Sequence, residues 1–170
     1  MFQKSDSTFR PITILDALKK CVDGEIMRRM LRLLHDFDML QKEQFGFVVN
    51  GGIEGPVELI AQMYEDALQY GKELHLIMYD MKSAYDSVPW ALLDIMLRRL
   101  HLPESLIDRV RHTLAGQKRV MSTAYGTREA RELFELLGSL PQGNRDSPGL
   151  WDIAFDFVLS YASTVNGEPY

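Results

Sequence analysis

Apolar residues recur every three or four positions in several stretches of the chain, the spacing that lines one face of a helix. Leu18, Val22, Ile26, Met30, Leu33 and Leu34 do so between Asp16 and His35, with Asp16 placed to cap the segment and Gly24 weakening it. Val57, Ile60, Ala61, Tyr64 and Leu68 repeat the pattern over Pro56 to Tyr70. Pro89 opens a helix through Leu100, Pro103 one to about Ala115, and Ser147-Pro148 one to about Ser163, since proline suits a helix's first turn. Between these lie segments of another kind. Leu74 to Tyr79 is a short apolar run containing His75 that stops at Asp80, the pattern of a buried strand ended by a carboxylate. Phe2 and Phe9 flank the turn residues Ser5-Asp6-Ser7-Thr8 as in a hairpin, and Lys118–Ala124 and Ala130–Leu137 read as two strands around Tyr125-Gly126-Thr127. Leu140-Pro141-Gln142-Gly143-Asn144 has no place in a helix interior, and Asn50-Gly51-Gly52 marks a loop.

Composition narrows the class. With 170 residues, 46% hydrophobic and 25% charged, the chain matches a globular protein of one domain or part of one, with no repeat, linker or internal boundary. The single Cys21 excludes an internal disulfide, and no apolar run reaches the ~18 residues of a membrane span. The N-terminus has no apolar leader core, so an intracellular location and no membrane partner are expected. The net charge of −5 argues against coating nucleic acid through bulk charge. It hides a segregation: Arg109 to Arg131 carries six bases against one acid, and Glu132 to Tyr170 one base against six acids. The basic stretch is either an anion-binding face or a solvated helix and hairpin edge.

A carboxylate at the end of an apolar strand either caps a turn or is held rigidly enough to bind a divalent metal. Around Asp80 the sequence runs Asp80-Met81-Lys82-Ser83-Ala84-Tyr85-Asp86-Ser87-Val88. This resembles motif A of reverse transcriptases, an aspartate, variable residues, then Ala-Phe/Tyr-Asp-x-Val. Three further segments follow the same family in order. Phe9-Arg10-Pro11-Ile12-Thr13 resembles its fingers segment, Gln44-Phe45-Gly46-Phe47 the stretch upstream of motif A, and Leu140-Pro141-Gln142-Gly143 through Ser147-Pro148-Gly149-Leu150 its motif B. The subclass that matches best is the non-LTR retrotransposon type.

The resemblance implies an α+β fold, a partial right-hand polymerase of fingers and palm with helices packed on a small antiparallel sheet. About 1–72 would be fingers-like and about 73–170 palm-like. It implies an RNA-directed DNA polymerase acting on an RNA template, a DNA primer and deoxynucleoside triphosphates. In such enzymes two Mg²⁺ ions ~4 Å apart activate the primer hydroxyl and clamp the leaving pyrophosphate. Asp80 would be the catalytic metal ligand and the Met81 carbonyl would complete coordination. Lys4 and Arg10 would hold the triphosphate, where Arg offers a fork and Lys a point charge. Tyr85 would stand under the sugar and exclude a 2′-hydroxyl, while Gln142 and Gly143 would line the nucleotide and template side.

The family's Tyr-x-Asp-Asp hairpin, motif C, does not occur in these 170 residues, and Asn144-Arg145-Asp146 replaces small or apolar residues usual inside motif B. One carboxylate leaves two adjacent divalent ions under-neutralised. The expectation is a partial reverse transcriptase whose full-length parent polymerises while this chain alone does not. The alternative is a catalytically dead relic that binds RNA or protein. No zinc site is expected, since Cys21 and the four histidines share no ligand spacing. Asp152 and Asp156, four apart on one helix, read as solvated.

Overall fold

The computed structural model describes residues 2–3, 9–10, 14–48, 50–115, 120–123, 126–129 and 140–166. Helix α1 (Ala17–Asp36) starts where expected: the Asp16 carboxylate accepts from the amides of Leu18 and Lys19 at 2.9 and 3.2 Å, satisfying two donors a helix start leaves open. It ends where Asp38 enters the left-handed region at φ 52° and the Met39 amide turns back to the Leu34 carbonyl at 2.8 Å. Helix α2 (Glu54–Tyr70) follows, then α3 (Trp90–Arg99) with Pro89 at its N-cap, α4 (Glu104–Ala115) and α5 (Ser147–Asn166). One 3₁₀ turn, Ala84–Ser87, precedes α3.

The core lies where α3 packs between α4 and α5, with α1 closing it. Leu34 of α1, Leu93 and Leu97 of α3, Ile107 of α4, and Leu150 and Ile153 of α5 are all at most 1% exposed. Burying each such side chain is worth roughly 1.5–3 kcal/mol. Helix α1 turns inward only part of the face its apolar spacing suggests, Met30 and Leu34 among it. Asp23, Met27, Met30 and Leu34 are buried, whereas Leu18, Val22 and Leu33 are exposed. Asp23 is admitted to that face because Lys19 from one turn back and Arg109 of α4, at 3.5 Å, neutralise it.

The expected α+β arrangement of helices on a small antiparallel sheet is not what is found. The packing is helix on helix, and the described strands form only two separate two-stranded antiparallel ribbons. In one, β1 (Phe2–Gln3) pairs with β2 (Phe9–Arg10), Phe2 opposite Arg10. In the other, β3 (Val120–Thr123) pairs with β4 (Gly126–Glu129), Val120 opposite Glu129, so the second strand begins inside the residues read as a turn. The proposed strand Ala130–Leu137 lies outside the described residues. Leu74–Tyr79 is the decisive failure. It pairs with no strand among the described residues and is exposed throughout, Met78 at 85% and Tyr79 at 89%. An apolar run specifies a buried strand only when a neighbour supplies its ladder and its cover.

Helix α2 is amphipathic as read but buries no residue. Its Val57, Ile60, Tyr64 and Leu68 form, with Leu74 and Leu76, an open apolar groove of about 580 Å³.

Candidate nucleotide site

The bend at Leu140–Asn144 is built by local chemistry. Pro141 is buried and its carbonyl accepts both the Asn144 amide at 3.3 Å and the Ser147 hydroxyl at 2.8 Å, which ties the bend to the first turn of α5. Gly143 sits at φ 98°, a conformation a side chain resists, so the Gln-Gly pair has a backbone reason. Gln142 is half-buried and Gly143 exposed, which leaves this backbone open to an approaching molecule. Six positions past Gly143, Gly149 lets α5 press against α1: a Cβ there would lie 2.5 Å from the Met27 sulfur.

The segment around Tyr85 meets this bend. The Leu140 amide donates to the Tyr85 carbonyl at 3.1 Å, and the Tyr85 ring stands edge-on to Trp151 of α5, centroids 6.2 Å apart. Ser83, at φ 53°, leads the chain from the exposed Leu74–Met81 segment into the 3₁₀ turn that carries Tyr85. Burial, and next the nearby Asp152 carboxylate, push the Tyr85 phenol above its ordinary range.

Asp152 and Asp156, read from sequence as solvated, are at most 1% exposed. Asp152 Oδ1 accepts from Gln44 Nε2 at 2.7 Å, and its Oδ2 has no partner among the described residues. Burial pushes its carboxyl up to about 7. Asp156 accepts the Gln41 amide at 2.7 Å and Arg99 Nη1 at 3.0 Å. The loop between α1 and α2 is thus fastened to α5 by two acids. Asp146, inside the bend-to-helix junction, is 6% exposed, and burial followed by the charge of Asp23 raises its carboxyl to about 6. The signal for α5 was present: its two acids stand among Leu150, Ile153, Ala154, Phe155 and Phe157, an otherwise apolar run in which a carboxylate is admitted only with its own donors.

The chain resembles the model of one family, described as Reverse transcriptase (RNA-dependent DNA polymerase), along residues 2–166. It belongs to the reverse transcriptase family. No curated protein and no solved structure matches it. Of the residues that the reverse transcriptase pattern singles out, Tyr85, Gln142 and Gly143 lie on the two segments joined by the Leu140–Tyr85 hydrogen bond. Asp80 and Met81 precede them on an exposed segment with neither helix nor strand. Arg10 lies on β2, and Lys4 lies outside the described residues. In the basic stretch, Arg109 is engaged with Asp23, and Arg111 with Asp94 at 3.1 Å, Asp108 at 2.9 Å and the face of Trp90 at 5.4 Å. These two arginines hold the helices together, which reduces what the stretch can offer a phosphate.

The family uses divalent metal. The Asp80 carboxylate and the Met81 carbonyl are hard oxygen donors of the right kind for Mg²⁺. No group of three or more His, Cys, Asp or Glu comes together among the described residues. The donors are too few to neutralise and coordinate a pair of such ions, so these residues alone do not fit the metal centre. No described helix is long and apolar enough to cross a membrane.

Proposed function

We propose that this chain supplies the nucleotide-facing part of a retroelement reverse transcriptase of the non-LTR type, and that it does not polymerise alone. The observation that carries the reading is the Leu140–Tyr85 hydrogen bond, which brings the motif A-like and motif B-like segments, 55 positions apart in the chain, to one place. On this reading Tyr85 stands beneath the sugar of a deoxynucleotide and Gln142 with Gly143 faces the base pair being formed. Lys4 and Arg10 take the triphosphate. Asp80 and Met81 contribute to a Mg²⁺ site that carboxylates outside these 170 residues complete. RNA template and DNA primer are the macromolecular partners.

Fluorescence anisotropy with an RNA–DNA hybrid, at increasing KCl, tests the binding half. The expected result is saturable binding whose log K falls linearly with log salt, as phosphate contacts require. Absence of binding at low salt would sink it. Primer extension with all four deoxynucleoside triphosphates and Mg²⁺ tests the other half, and no product is expected. Hybrid binding that no deoxynucleotide modulates would favour the second reading, a catalytically silent binding module, which the sparse metal ligands support.

A further inference from the structure

Helix α2 and the run that follows it leave one apolar face uncovered. Val57, Ile60, Tyr64 and Leu68 of α2 line the groove with Lys72, Leu74 and Leu76, so every second residue from 72 turns toward the helix, the alternation of a strand. Met78 and Asp80 stand at the next two positions of that alternation. Yet Leu74–Tyr79 is exposed and pairs with no strand among the described residues. An unpaired apolar edge of this kind is a template for a further strand. The size of the face also calls for cover. Val57, Ile60, Tyr64, Leu68, Leu76 and Met78 are each 40–85% exposed, which at roughly 150–250 Å² for a large side chain opens on the order of 700 Å². Monomers rarely show an apolar patch beyond roughly 300–600 Å². A stable pair needs about 800 Å² from each copy, and the two strand backbones supply the balance.

We propose that this face is the interface between two copies of the chain, joined antiparallel along residues 72–80 about a twofold axis at Leu76. Charge selects the register. The twofold axis of an antiparallel pair passes through a residue that faces its own copy, and the choice of that residue fixes every other pair. With Leu76 on the axis, Leu74 meets Met78 of the second copy and Lys72 meets Asp80 of the second copy, at both ends by symmetry. On the opposite face Glu73 meets Tyr79, whose hydroxyl can donate to the carboxylate. The adjacent registers conflict. An axis at Ile77 sets Lys72 against Lys82 and Leu74 against Asp80, and one at His75 sets Lys72 against Met78 and Glu73 against Ile77. Opposite charges directly across a pair stabilise it, and like charges do the reverse. Lys72 and Asp80 are both exposed, the Lys72 ammonium lying 5.6 Å from the centre of the Tyr70 ring. The pairing is independent of the function proposed above; because it occupies the Asp80 carboxylate, the pair is a state apart from any metal-loaded one.

Sedimentation velocity of the 170-residue chain over a concentration series, without divalent metal, is the test. The expected result is a reversible equilibrium between monomer and dimer with no larger species. Lys72→Glu sets like charges across both ends and should weaken dimerisation about tenfold, the effect of losing and reversing two exposed pairs. Asp80→Lys should do the same, and the chain carrying both substitutions, which restores opposite charges, should regain most of the lost affinity. Leu76→Lys sets two ammonium groups together on the axis and should leave a monomer; Leu76 is exposed in the single chain, so the circular dichroism spectrum should not change. A chain that stays monomeric at about 100 µM would overturn the proposal and leave the face to a segment from outside these residues. Dimers that survive Leu76→Lys, open-ended assemblies, or charge variants that the double substitution does not rescue would overturn it as well.

Discussion

Asp156→Ala tests whether the buried acids of α5 hold the fold. The carboxylate is 1% exposed and serves two donors at once, the Gln41 amide at 2.7 Å and Arg99 Nη1 at 3.0 Å. Truncation leaves a half-buried amide without its acceptor, a loss of roughly 1–3 kcal/mol. It also unpairs Arg99, but that side chain is 40% exposed and regains water, so this adds about 1 kcal/mol or less. The total is about 1–4 kcal/mol. With a urea slope of roughly 1–3 kcal/mol per molar, the unfolding midpoint followed by circular dichroism should fall by more than about 0.3 M. Arg98→Ala is the contrast. Arg98 bonds Asp94 at 3.0 Å and Glu104 at 2.6 Å, no longer than the Asp156–Arg99 contact, yet Arg98 and Glu104 are exposed and Asp94 half-buried, and its loss should leave the midpoint within the scatter of replicate titrations. Equal effects from the two variants, or no effect from Asp156→Ala, would refute the reasoning that burial, and not bond length, decides the energy.

Three further outcomes follow from the same structure. Asp152 and Asp146 have folded-state values of about 7 and about 6 against an ordinary 3.8, so the folded chain binds their protons more tightly than the unfolded one. The stability they confer is whole below about pH 4 and is lost as pH rises toward 7; urea midpoints across that window should fall less steeply in Asp152→Asn than in the parent chain. Gly149→Ala would drive a methyl group to 2.5 Å from the Met27 sulfur and 3.0 Å from Leu31 Cδ1, and is expected to destabilise by about 1–3 kcal/mol, with Met27→Ala in the same chain recovering part of the loss. Gly143→Ala, at φ 98°, should lower the stability by about 1–2 kcal/mol through backbone strain alone, without the recovery that a smaller neighbour gives at position 149.

Much of the helical frame was legible because its signals are local. Asp16 caps α1 through contacts within three residues, and Pro89 and Pro103 stand where α3 and α4 begin. Part of the inward face of α1 was not, because Asp23 is admitted with the help of Arg109 of a helix some 86 positions away. The Leu74–Tyr79 strand failed for the opposite reason: its apolar pattern is complete, but no described segment pairs with it. At the candidate site, motif spacing led to Tyr85, Gln142 and Gly143. Asp152 was passed over because its Gln44 partner comes from a segment 108 positions distant, beyond any helical spacing rule.

The central claim is that the Tyr85 turn and the Pro141–Gly143 bend form one surface for a deoxynucleotide. The most direct measurement is a heteronuclear NMR titration of the chain with Mg²⁺·dTTP. The account predicts saturable shifts on the amides of Met81, Tyr85, Gln142 and Gly143, with none on the exposed face of α2. Shifts confined to α2 and its groove, or none at any of the four amides at millimolar nucleotide, would contradict it.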